Sequence, residues 1–203
     1  MKLGQACAAI AAARKQVCPE AVLVATMSSQ FAFDMLGETD RRIDSVPLMG
    51  GATGLGLGIA LAQPAQQVIV VDGDASLLME LGSLVTVAHN QPQHYLHFVV
   101  HNNAQFNGLV NLPTAGSEPS CDFAAMARAA GYQHAERIDS AEALAAALPT
   151  LLERKGTTFV ELIVEADPRR VGPGTPQPLL PAMQFVRMRH AVRQLKTTLA
   201  AAG

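Results

Sequence analysis

The chain has 203 residues, enough for one domain and a tail. Only 16% are charged, against about a quarter in ordinary soluble proteins, while 49% are hydrophobic. A net charge of −2, with no Lys/Arg stripe and no interleaved aromatics, removes the electrostatic case for nucleic acid or an anionic membrane surface. No apolar run approaches membrane-spanning length, and so little charge predicts large subunit interfaces.

Lys2 and the alanine-rich stretch after it imitate a signal peptide, but Gly4-Gln5 interrupts the apolar part and Arg14-Lys15 follow at once. The segment reads as an N-terminal helix. Cys7, Cys18 and Cys121 are far apart and lack C-x-x-C spacing, which predicts free thiols in a reducing cytoplasm. Ala21 to Ala25 reads as the first strand, followed by Thr26-Met27-Ser28-Ser29-Gln30 and a short helix to Leu36. The plain role of the two serines is helix capping.

Next comes Pro47-Leu48-Met49-Gly50 and a glycine-rich run to Ala62. Gly54-Leu55-Gly56-Leu57-Gly58 imitates a dinucleotide loop, yet neither frame provides the third glycine of G-x-G-x-x-G. Gly50, Gly54 and Gly58 recur every fourth residue instead, which predicts a helix with a bare face for close packing. Met49 taken alone reads as a core methionine.

The run Val68-Ile69-Val70-Val71 stops at Asp72-Gly73-Asp74-Ala75, and Leu77, Leu78, Leu81, Leu84, Val85 and Ala88 then fall at helical spacing. This predicts a strand, a tight turn and a helix over 76–90. A second strand, near 96–101, ends in His101-Asn102-Asn103. In a right-handed crossover the two strands are parallel, so Asp74 and Asn103 emerge at the same carboxyl edge. A carboxylate and an amide oxygen are hard ligands suited to Mg²⁺ or Ca²⁺, and Mg²⁺ characteristically completes its shell with phosphate and water oxygens. Gly73 lets the chain turn, and the free N–H groups of Ala75 and Ser76 at a helix start favour a phosphate. The site predicted is a metal-bridged diphosphate. His89, His94, His97 and His101 match no zinc spacing; His101 is kept as a proton-transfer candidate beside Asn102.

Helices over 122–130 and 140–154 alternate with strands near 134–138 and 158–164. The fold class predicted is α/β, a doubly wound parallel sheet with helices on both faces. Residues 1–167 form this domain in that reading. Residues 168–203 comprise a Pro/Gly-rich tether to Pro181 and a last helix, Ala182 to about Leu199, packed on the domain or on a partner.

At these residues the sequence resembles the thiamine diphosphate (ThDP) enzymes, whose fingerprint is Gly-Asp-Gly/Ala/Ser, a long spacer and Asn-Asn. Here it reads Gly73-Asp74-Ala75 and Asn102-Asn103. The resemblance implies the ThDP-binding fold of the diphosphate-domain type. Asp74, the Asn103 side chain and the main-chain oxygen of Gln105 would hold Mg²⁺, and Ser28 and Ser29 would reach the diphosphate. It further implies that Met49 wedges under the cofactor, bending it so that the amino group approaches the thiazolium, while main-chain groups of Pro47 and Met49 bond the aminopyrimidine.

Over roughly Ala21 to Asp167 the resemblance is strongest to the diphosphate-binding half of sulfopyruvate and phosphonopyruvate decarboxylases, in some members a separate β subunit. Pro113-Thr114 stands at that family's distance after Asn103. Two departures stand out. Gly108-Leu109-Val110-Asn111-Leu112 replaces a polar, anion-handling stretch, and Phe33-Asp34 replaces Arg-Glu in the first helix. A doubly charged head group needs donors that these stretches lack. The family's activating glutamate lies on the pyrimidine-binding domain, for which this chain has no room. Neither Glu80 nor Glu118 is expected to be that base.

The function implied is therefore the β subunit of a cytoplasmic, heteromeric ThDP-dependent 2-oxo acid decarboxylase. Its partner is a pyrimidine-binding α subunit, in an α2β2 or higher assembly. A carboligase subunit, or a non-catalytic ThDP-binding scaffold, is the alternative.

Overall fold

The computed structural model describes residues 1–46, 48–116, 121–170 and 183–201. In chain order the elements are α1 (Leu3–Val17), β1 (Val22–Ala25), α2 (Met27–Met35), β2 (Arg42–Asp44), α3 (Gly51–Ala62), β3 (Val68–Gly73), α4 (Asp74–Met79) and α5 (Ser83–Asn90). There follow β4 (His94–His101), β5 (Ala104–Gln105), β6 (Leu112–Pro113), α6 (Phe123–Ala130), β7 (His134–Ile138), α7 (Ala141–Glu153), β8 (Gly156–Ile163) and α8 (Met183–Ala201).

Six strands form one sheet in the order β2-β1-β3-β4-β8-β7, and every pairing in it is parallel. Helices cover both faces, so the strands are apolar on both sides rather than on one. Val22, Val24, Val68 and Val70 pack with Leu57 of α3, Leu84 of α5, Phe123 of α6 and Leu195 of α8. Leu23, Ala25, Ile69 and Val71 pack on the opposite side with Ile10 of α1, Phe33 of α2 and Leu144 of α7. The doubly wound class predicted from the βα alternation is the one observed.

Three local features differ from the sequence reading. The helix predicted over 76–90 is two helices, because the chain leaves α4 in tight turns, Glu80 N–H to Leu77 O at 3.0 Å and Ser83 N–H to Glu80 O at 2.8 Å. Gly82 weakens helix propensity at the break, and Glu80 there packs over Gly50. The edge strand β2 is too short and polar to show a strand period. It is pinned by Arg42, whose guanidinium reaches Asp44 at 2.8 Å, Glu38 O at 2.8 Å and Gln30 O at 2.9 Å. In α3 the close approach falls at Gly56, outside the predicted Gly50, Gly54 and Gly58 face. A Cβ on Gly56 would lie 2.4 Å from Val70, whereas Gly54 and Gly58 face open space.

The last helix packs on this chain itself. Leu195 is buried with Ile43 and Leu57, and Arg187 pairs with Asp34 at 2.6 Å. Beyond Arg170 the tether expected over 168–181 lies outside the described residues, as do Pro47 and Glu118.

Candidate active site

From β1 the sheet grows one way, to β2, and from β3 the other way, to β4. The loops at the carboxyl ends of β1 and β3 therefore part, which is where ligands bind in open α/β sheets. Thr26 to Ser29 leave β1 at this crevice, Asp72 to Asp74 close β3, and the loop after His101 lies next to them.

Asp74 is buried here. Its Oδ1 accepts the Ala75 N–H at 2.8 Å and its Oδ2 the Asn103 N–H at 2.7 Å. Asn103 adopts φ 56° to make this contact, a left-handed conformation that Asn tolerates better than most residues. Its Oδ1 accepts from His101 Nε2 at 2.9 Å. Burial raises the Asp74 pKa, opposed by the Ala75 and Asn103 N–H groups and by the charge of His101.

Each of these side-chain oxygens has a further lone pair. Among the described residues no three His, Cys, Asp or Glu side chains converge on a cation position. A cation at Asp74 would thus draw its remaining ligands from amide, main-chain and ligand oxygens, the set that suits Mg²⁺. Gln105 lies just beyond, in β5, opposite Leu112 of β6. A Cβ on Gly73 would meet nothing within 4 Å among the described residues, which leaves room beside the turn. The donor set and the room beside it fit a metal-bridged diphosphate.

The other predicted ligands divide. Ser28 is half-buried at the start of α2. Ser29 departs from expectation, with its hydroxyl turned inward, 2.6 Å from Thr26 O and 2.9 Å from Val71 O, so that it ties β1 to β3. The Ser76 hydroxyl also faces inward, accepting the Gly50 N–H at 2.8 Å and bonding Asp72. The Ala75 N–H is engaged by Asp74. Met49 is half-buried between exposed Leu48 and Gly50, the positive-φ residue (85°) that opens α3.

Two networks escaped the sequence reading. Asp72 is buried with its carboxylate on the Gly73 N–H at 2.8 Å, Ser76 and Thr53, and burial pushes its pKa up to about 6. Through Ser76 it fixes Gly50, beside Met49. Behind Asn103, His101 Nδ1 meets Glu161 Oε1 at 2.6 Å, and Glu161 also accepts from Arg137 and the Ala124 N–H. Burial lowers the His101 pKa, but Glu161, Asn103 and Asp74 carry it above its ordinary value. The sequence signal was a carboxylate inside the apolar run Phe159-Val160-Glu161-Leu162. A buried charge there requires partners.

The departures from the decarboxylase pattern have structural roles. Phe33 is in the core, and Asp34 pairs with Arg42 at 3.0 Å and with Arg187. The loop 107–111 is tied to Asp167 and to Arg170, whose Nε donates to Gly108 O at 3.0 Å. A basic residue from farther along the chain thus lies against the loop that has none of its own.

Residues 25–162 match the family model described as thiamine pyrophosphate enzyme, C-terminal TPP binding domain. The chain belongs to this family. This ThDP-enzyme domain is 37% identical over 147 residues to phosphonopyruvate decarboxylase of Streptomyces viridochromogenes, covering 71% of this chain and 35% of that protein. It is 35% identical over 104 residues to sulfopyruvate decarboxylase subunit beta of Methanothermobacter thermautotrophicus, covering 48% and 52% respectively. The matches thus span from a third to a half of those relatives' lengths. Among solved structures, the fold is similar to a Mycobacterium smegmatis protein assigned as a thiamin diphosphate-dependent enzyme, with TM-score 0.62 and 20% identity over 79% of this chain and 31% of the other.

Proposed function

We propose that this chain is the diphosphate-binding half of a ThDP-dependent 2-oxo acid decarboxylase. The observation that carries the reading is the 2.7 Å contact between Asp74 and Asn103, residues 29 apart, at the switch point of the sheet. Asp74, the Asn103 amide oxygen and the Gln105 main-chain oxygen hold Mg²⁺ in this reading. Ser28 and the Gly73 turn would lie beside the diphosphate, whose oxygens would supply further ligands to the cation. ThDP, when bound, supplies the nucleophilic carbon and the electron sink that loss of CO₂ from a 2-oxo acid requires. Met49 bears on its aminopyrimidine ring, held in place by Gly50, Ser76 and Asp72.

The activating glutamate comes from a pyrimidine-binding α subunit. Glu80 packs over Gly50 and Glu161 is locked to Arg137, so neither suits that role. Leu48, Met79, Phe106 and Leu112, exposed on segments after β2, β3 and β4, make an apolar rim of the kind a partner covers. In this reading the assembly is α2β2 or larger and cytoplasmic. Among the described residues no helix is long and apolar enough to cross a membrane.

The apolar loop from Leu109 to Leu112 favours a second reading, a carboligase, because excluding water protects a reactive intermediate from protonation. The test is product analysis on the complex purified from its host, supplied with Mg²⁺, ThDP and a 2-oxo acid, with and without an acceptor aldehyde. Release of CO₂ and a simple aldehyde supports the decarboxylase; an acyloin supports the carboligase. Asp74→Ala is expected to abolish turnover in either case, and unchanged turnover would leave the chain a non-catalytic scaffold.

A further inference from the structure

Glu161 lies inside β8, the strand between β4 and β7, and is fully buried. Placing a carboxylate there is strongly unfavourable unless its lone pairs are met. Here they are met. His101 Nδ1 lies 2.6 Å from Oε1, Arg137 Nη2 and Nε lie 3.1 Å from Oε1 and Oε2, and the Ala124 N–H donates to Oε2 at 3.1 Å. The apolar strand around it has no need of such a group, and a Leu or Val there would fold more simply. What the carboxylate accomplishes lies on its far side, at His101.

A carboxylate only accepts, so Nδ1 of His101 donates to it; the amide oxygen of Asn103 only accepts, so Nε2 donates at 2.9 Å. Asn103 is thereby held at both ends, its N–H on Asp74 and its carboxamide on His101. An unrestrained carboxamide rotates and offers either its oxygen or its NH₂, and only the oxygen binds a cation. An N–H donor on the oxygen prevents that exchange.

We propose that Glu161 is a positioning residue for the cation site, fixing the ring of His101 so that His101 holds the Asn103 carboxamide in its metal-binding orientation. Arg137, 45% exposed at its side chain, anchors the far end of the chain from β7. The proposal rests on the Mg²⁺–ThDP reading of Asp74 and Asn103. Partners that hold a metal-binding side chain in place are worth about 10- to 100-fold in metal affinity.

The test measures the Mg²⁺ concentration that half-saturates ThDP binding, by equilibrium dialysis on the full chain with any chains that co-purify. The proteins are the wild type, Glu161→Gln, His101→Gln and the double variant, each with its thermal midpoint. Glu161→Gln is expected to raise the Mg²⁺ midpoint about 10-fold or more while ThDP still binds at saturating Mg²⁺. Because Glu161 acts through His101, the double variant is expected to equal His101→Gln alone.

Should Glu161→Gln not fold, Arg137→Ala loosens the same carboxylate from the surface and is expected to raise the midpoint several-fold. A midpoint equal to wild type in Glu161→Gln, or in Arg137→Ala where that variant decides, overturns the inference and leaves the functional reading intact. Additive losses in the double variant also overturn it. Wild-type protein that binds no ThDP at any Mg²⁺ concentration overturns both.

Discussion

His97 shows at the scale of one residue how strongly burial governs chemistry in this sheet. It is fully buried among Tyr95, Tyr132 and Phe159, with Nδ1 3.2 Å from the Tyr132 hydroxyl, and burial lowers its pKa to about 3. In the unfolded chain the ring titrates near its ordinary 6.5. Between those values the unfolded state binds a proton that the folded state refuses. This contribution to stability is therefore complete above about pH 6.5 and is lost as pH falls toward 3, by about 1.4 kcal/mol per pH unit.

His97→Phe is expected to flatten that part of the profile while losing about 1 kcal/mol at all pH for the Tyr132 hydroxyl. Urea titrations of both proteins at several pH values check it; parallel profiles would contradict it. That Asp74 and Asn103 would meet at one edge was legible because each follows a strand of one parallel crossover. The inward turn of Ser29 and Ser76 was not, because it is set by where β3 and Gly50 come to lie. Nor was the bond between His101 and Glu161, whose partners are 60 residues apart.

Within the elements, α3 carries two opposite consequences of one residue type. Gly56 meets Val70 and Tyr95 of the sheet so closely that a Cβ would sit 2.4 Å from Val70 Cγ2. Gly56→Ala is expected to destabilise by about 1–3 kcal/mol through overpacking, despite the better helix propensity of alanine. A Cβ added at Gly54 or Gly58 would meet nothing within 4 Å among the described residues. Gly54→Ala is expected to stabilise the isolated chain by about 0.5–1 kcal/mol, a rise of about 1–4 °C. Calorimetry on the two variants checks the signs, and equal shifts would contradict the assignment of faces. The four-residue glycine spacing was visible in the sequence, but not that the sheet takes Gly56, outside that spacing, and leaves Gly54 and Gly58 open. The break between α4 and α5 was hidden for a related reason, since apolar spacing from Leu77 to Ala88 continues through it.

For the whole molecule, the alternation of apolar runs and helical segments made the doubly wound sheet legible, and the family match agrees with it. The Thr26–Ser29 turn, the Asp74–Asn103 contact and the Met49–Gly50 segment sit on separate elements that this topology brings to one edge. Leu48, Met79, Phe106 and Leu112, on segments that follow β2, β3 and β4, are exposed apolar side chains in a chain with only 16% charged residues. A separate subunit covering them is expected to lower the aggregation of the chain and to complete the cofactor site. The most direct measurement is native mass spectrometry of the tagged chain, purified from its own host with Mg²⁺ and ThDP present. The expected result is a heteromer of this chain with a second subunit, carrying bound ThDP. A homomer that stays empty at high ThDP would contradict the assignment of the Asp74–Asn103 crevice.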